Sequence, residues 1–149
     1  MVKITLIYDK YENDDWGFDT SILDNKNPNQ NSELDNQIFN TKLNIYSWGV
    51  KMKHTPVDIE FDVTNFRANI ASNINLREIN GTNNIIQKAI MIHPRYSVLI
   101  DRIINEIQIR GAINIAFVCN HGKHRSVGWA CILKKYYPNS IVRHSGIQN

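Results

Sequence analysis

Between Cys119 and Ser126 the chain reads Cys-Asn-His-Gly-Lys-His-Arg-Ser, which puts a thiol, imidazoles, an ammonium, a guanidinium and a hydroxyl into one short stretch. The apolar run Ile115–Val118 leads straight into it, and a helical pattern follows. A strand that empties through a short glycine-containing turn onto a helix start leaves backbone N–H groups converging on one hollow, at the positive end of the helix dipole. Such a hollow attracts anions. Lys123, His124 and Arg125 add cationic donors to it, and only Arg offers the planar fork that fits two phosphate oxygens at once. The chemistry written here is that of a phosphate-recognition loop.

Several elements must position that loop. Met1–Asp9 reads as a first strand, Leu43–Trp48 as a second, and Val57–Val63 as a third whose alternating Val57, Ile59, Phe61 and Val63 mark a buried face. Asn83–His93 reads as a helix with Ile86, Ala89, Ile90 and His93 on one side. Pro94 then starts a second helix, about Arg95–Arg110, with Leu99, Ile103, Ile104 and Ile107 facing the core and Gly111 ending it. Asn114–Val118 is the strand before the loop. His124–Tyr137 is the helix after it, and Ser140–Arg143 is a final short strand. Strands alternating with helices predict an α/β fold, a three-layer-like sandwich with a largely parallel sheet, whose ligands sit at the carboxyl ends of the strands. The polar stretches Tyr11–Thr41 and Asn65–Asn80 read as loops. Residues 1–42 are therefore expected to be one strand plus a polar, mobile segment, and residues 43–149 the phosphate-binding domain.

Each chemical reading has a plainer rival. The spacing Cys119-x-x-Gly122-x-x-Arg125-Ser126 is similar to the loop of cysteine-dependent phosphatases, in which a thiolate attacks phosphorus while amides and the Arg hold its oxygens. Against that, Val118 stands where those enzymes carry His, and neither Asp62 nor Asp101 is marked as the acid. The plain reading of Cys119 is a small buried residue closing a strand. Cys131 reads as helix packing, Lys123 as a solvated face, and Trp129 and Tyr136 as core. Cys119, His121 and His124 crowd one tight turn, which rarely surrounds a metal without further ligands, so no metal is expected. Neither G-x-x-x-x-G-K-[ST] nor G-x-G-x-x-G occurs, and no cofactor is expected.

The whole-chain figures bound the rest. At 149 residues and net charge +3 this is one domain of ordinary size, mildly basic, with acids gathered in Asp9–Asp24 and bases after His121. Its 2 cysteines indicate no disulfide framework and fit a reducing, cytoplasmic setting. No run approaches the roughly 20 apolar residues of a membrane span.

Three blocks in order resemble the C-terminal domain family of the bacterial RNase adapter protein RapZ. Ser47-Trp48-Gly49-Val50-Lys51 through Pro56 is similar to the family's S-F-G-[FY]-K-x-G-x-P. Asp58–Val63 is similar to its strand ending F-D-V-R, and Cys119–Val127 to its G-C-T-G-G-x-H-R-S-V. Leu76-Arg77 with Gly81, and the pair Arg143-His144, fit weaker elements. Asn120 and His121 depart from the family's Thr and Gly, and Asn69-Ile70-Ala71 replaces an N-P-[HR]-like segment. The resemblance implies an α/β module that binds a sugar phosphate such as glucosamine-6-phosphate without catalysis and that engages a small RNA and a ribonuclease. It also implies that Asn120, His121, Gly122, His124, Arg125 and Ser126 line the phosphate pocket, with Ser47, Gly49 and Lys51 as its neighbouring wall. The alternatives are an RNA-binding adapter without metabolite sensing, or a phosphatase with Cys119 as nucleophile and Arg125 as clamp.

Overall fold

The computed structural model of the chain describes residues 1–6, 38–52 and 54–147. Most of the polar stretch expected to be a loop, residues 11–37, lies outside them. The described strands are β1 (Val2–Thr5), β2 (Asn44–Gly49), β3 (Ile59–Asp62), β4 (Asn114–Cys119) and β5 (Ile141–His144); the helices are α1 (Asn84–Met91), α2 (Tyr96–Arg110) and α3 (Arg125–Tyr136). All five strands form one parallel sheet in the order β1-β3-β4-β2-β5.

Sequence pattern divides the two faces of that sheet. Alternate residues Ile45, Ile59, Phe61, Ile115 and Phe117 join one large core with Ile86 and Ile90 of α1, the Leu99–Ile107 stripe of α2, and Trp129, Ile132 and Leu133 of α3. The opposite face carries a smaller cluster of Trp48, Val57, Ala116 and Val118, with Tyr46 and Met52 against it. Among the described residues, then, helices cover one face, and the connection from β2 to β3 covers part of the other. His54 in that connection stacks on Trp48 with ring centroids 4.9 Å apart.

Polar side chains fix the register at the amino ends of the strands. The Asp58 carboxylate accepts the backbone N–H groups of Ile113 at 2.9 Å and Asn114 at 2.8 Å. The Asn114 side-chain oxygen in turn accepts from Asn44 Nδ2 at 2.9 Å, so β3, β4 and β2 start level. The helix ends follow local chemistry. Asn83 caps α1 by accepting the Ile85 N–H at 2.8 Å, and Gly111 ends α2 in the left-handed region, φ 61. At the start of α3 the His124 side chain makes no cap hydrogen bond, and the Ser126 N–H meets the Cys119 sulfur at 3.4 Å instead.

Candidate anion-binding loop

The connection leaving β2 passes over β4 to reach β3 on the face of the small cluster, while α3 leaves β4 and passes over β2 to reach β5 on the helix face. Neighbouring strands whose crossovers part in opposite directions open a crevice at their carboxyl ends, which is where parallel sheets hold ligands. Here Gly49, at the carboxyl end of β2, lies directly against the backbone of residues 120–122. Backbones meet there without side chains between them. A Cβ at Gly49 would stand 3.0 Å from the His121 carbonyl carbon, and one at Gly122, whose φ is +69, would stand 2.5 Å from the Gly49 nitrogen. Gly146, in the turn after β5, presses on Gly122 from the other side and has no room for a Cβ against its carbonyl.

Among the described residues no backbone carbonyl accepts from the N–H groups of Asn120, His121, Lys123, His124 or Arg125. The Cys119 thiol, only 3% exposed, sits within the same turn, with its sulfur 3.2 Å from Ser126 Oγ and 3.4 Å from the Ser126 nitrogen. Burial alone raises the thiol's pKa. Hydrogen bonding with the Ser126 side chain, which accepts from the thiol, and with the Ser126 and Gly122 N–H groups, helped by the Arg125 charge, outweighs burial and brings it below the usual thiol value.

The three basic side chains of the loop all reach the segment that follows β3. Arg125 Nη1 donates to the Thr64 carbonyl and, at 3.2 Å, to that of Phe66. His124 Nε2 lies 2.7 Å from the Leu76 oxygen and 2.9 Å from the Ile79 oxygen, a pair of acceptors that requires the proton to be on Nε2. Lys123 Nζ donates to the Arg77 carbonyl at 2.7 Å, and the Lys123 carbonyl accepts the Gly81 N–H at 2.8 Å. All these partners are neutral. Among the described residues no carboxylate pairs with Lys123, His124 or Arg125.

The described strands and helices form the α/β fold that the three sequence blocks imply, and a family model described as the RapZ C-terminal domain matches residues 41–147. The chain belongs to the RapZ C-terminal domain family. No match is found among curated proteins. The matched span takes in every described element of this RapZ C-terminal domain except β1, which nonetheless pairs with β3 in the same sheet.

Within this domain the backbones of Gly49, Asn120, His121 and Gly122 come together, while His124 and Arg125 turn to the carbonyls of the segment after β3. Ser47 sits behind these backbones. The Ser47 side chain is fully buried, and its hydroxyl lies 2.6 Å from His144 Nδ1. Ser126 likewise turns inward, onto the thiol. Lys51 is exposed in the turn after β2. Cys131 is half-buried, not fully packed as its helix position suggests, with its sulfur 3.9 Å from His144 Nε2. Both cysteines are free thiols.

Sequence reasoning missed Gly146 and the carbonyls of Thr64, Phe66, Leu76 and Ile79 as parts of the site. The Leu76-Arg77…Gly81 and Arg143-His144 fragments of the resemblance flank them and were the available signal. No described helix is long and apolar enough to cross a membrane.

Proposed function

We propose that this domain is a non-catalytic receptor for a phosphorylated small metabolite of the amino-sugar phosphate class, bound at the turn Asn120–Arg125. One observation carries the reading: among the described residues no backbone carbonyl accepts from the amides of Asn120, His121, Lys123, His124 or Arg125, and the basic side chains of the same turn are held by neutral carbonyls. An anion supplies the missing acceptors and the missing charge together. Gly49 lets the β2 end approach, while Arg125 keeps Nη2 and Nε for phosphate oxygens as Nη1 holds the 64–66 backbone. Ser47, Ser126 and Lys51 support the wall. The phosphate-binding unit comprises residues 43–149, and it acts in a reducing cytoplasmic setting where both thiols persist. The RNA and ribonuclease partners implied by the family are read here as partners of the ligand-responsive surface.

Calorimetric titration with glucosamine-6-phosphate and with inorganic phosphate tests this. Arg125→Ala is expected to weaken binding by about 10- to 150-fold, the equivalent of roughly 1.5–3 kcal/mol for a charge-assisted contact. Arg125→Lys, which keeps the charge, is expected to lose less. Equal binding by wild type and Arg125→Ala, or no binding by wild type, contradicts the reading.

A further inference from the structure

We propose that residues 67–80 form an autoinhibitory strap against the turn: their backbone carbonyls stand in for the anion on Lys123 and His124, and a bound phosphate displaces them. The proposal rests on the anion-binding reading of the same turn and deepens it, because it makes occupancy of the turn and the course of this segment depend on each other.

Both ends of the strap are fixed, and its middle is held lightly. Before it, the Phe66 ring is fully buried and stands edge-on to Trp129 with ring centroids 5.3 Å apart. After it, Gly81 donates its N–H to the Lys123 carbonyl at 2.8 Å and has no room for a Cβ against the Gly128 nitrogen. Between these points lies no helix or strand. The backbone bonds made inside the strap close single turns, from the Ile74 N–H to the Ala71 carbonyl at 3.0 Å and from the Glu78 N–H to the Asn75 carbonyl at 3.1 Å. Ala68, Ile70 and Ile79 pack against the main core, each only partly buried. Asn75, Leu76, Arg77 and Glu78 are exposed. A segment with so little buried apolar surface and no ladder of backbone bonds opens at low cost.

The turn itself holds the far half of the strap in place. The single proton on His124 Nε2 is shared between the Leu76 carbonyl at 2.7 Å and the Ile79 carbonyl at 2.9 Å, and Lys123 Nζ donates to the Arg77 carbonyl at 2.7 Å. A proton already divided between two acceptors has none to spare for a third, so Nε2–H serves either the strap or a phosphate oxygen. A phosphate brings two negative charges where the carbonyls bring none, and charge-assisted hydrogen bonds are about twice as strong as those between neutral groups. The carbonyls it releases lose little. Leu76 and Arg77 are exposed already, and water replaces the lost donors. Arg125 behaves differently, because its Nη1 holds Thr64 and Phe66 on the fixed side of the strap. It grips the ligand without letting go of the protein. The empty domain therefore carries a closed strap and the occupied domain an open one, and the surface at 67–80 reports which.

The test uses the whole chain and inorganic phosphate, with amide hydrogen exchange followed by mass and brief trypsin digestion as the readouts of the strap. Saturating phosphate is expected to slow exchange over Asn120–Arg125 while speeding it over 67–80, and to hasten cleavage after Arg77 several-fold. Ile79→Ala and Ile70→Ala loosen the strap and leave every carbonyl in place. Each is expected to bind inorganic phosphate more tightly in calorimetry, by up to about tenfold, since apparent affinity rises with the fraction of open form. A segment that merely scaffolds the turn gives the opposite sign in both measurements. The exchange measurement on wild type stands even if a variant fails to fold. Phosphate that binds wild type but slows exchange over 67–80 or leaves it unchanged, or folded Ile79→Ala and Ile70→Ala that both bind no more tightly than wild type, overturns the proposal and leaves the receptor reading standing. Wild type that binds no inorganic phosphate removes both.

Discussion

Individual residues carry the site through what they leave out as much as through what they present. Gly122 combines a positive φ with a backbone neighbour 2.5 Å from where its Cβ would be, so no other residue fits there. Gly146 is under the same pressure from the far end of the sheet. Gly146→Ala is expected to cost about 1–3 kcal/mol of stability by overpacking against the Gly122 carbonyl, and to weaken phosphate binding because it displaces the turn from behind. Thermal unfolding and calorimetry on the same variant check this, and unchanged values for both refute it. The part played by Gly122 was legible in the sequence, since a glycine between a strand end and a helix start has a local reason to be there. Gly146 was not, because its reason is a contact made only once β5 has docked. The same holds for Arg125. Its charge suggested an anion, but that one nitrogen would be drawn to the Thr64 and Phe66 carbonyls depends on where an irregular segment folds back.

At the level of elements, alternation and helical spacing located every described strand and helix to within a few residues, because the buried faces are strongly apolar and the caps are ordinary ones. Loop courses were not legible. The segment 64–80 is polar and irregular, so its path is set by distant donors on Lys123, His124 and Arg125 and not by its own sequence. Strand register was also hidden, because it rests on Asp58 meeting Asn114 and on Asn114 meeting Asn44. The Asn114 and Ile113 N–H groups hold the Asp58 carboxyl below its ordinary pKa of 3.8, with desolvation opposing. A depressed carboxylate stabilises the fold above its unfolded pKa, and that contribution fades as pH falls through the folded value. Asp58→Ala is therefore expected to lower stability by about 1 kcal/mol at neutral pH, since the group is largely exposed, and to narrow its difference from wild type below about pH 4. Chemical denaturation across pH measures this, and a difference that persists in acid contradicts it.

For the molecule as a whole, the α/β class and the parallel sheet were readable from the succession of elements, while the strand order was not, since nothing local states that β4 lies between β3 and β2. That order sets the ends of β4 and β2 side by side, and the packed helices partly bury an imidazole. Burial, aided by the Arg95 charge, lowers the His93 pKa from 6.5 to about 4, and its Nδ1 accepts the Arg95 N–H at 3.0 Å. Stability from a lowered histidine is present above the unfolded value of 6.5 and is lost as pH falls towards 4. His93→Asn, which keeps an acceptor in place, is expected to be less stable at neutral pH but to lose less on acidification through that window, which thermal unfolding at several pH values would show. An equally steep acid loss in the variant contradicts that assignment. The central claim, that the turn after β4 grips a phosphate, is tested most directly by titrating inorganic phosphate into isotope-labelled protein and following each backbone amide by NMR. Saturable shifts concentrated on Asn120 through Arg125 and on Gly49 are expected. Shifts scattered over exposed lysines without saturation, or none at the turn, would contradict it.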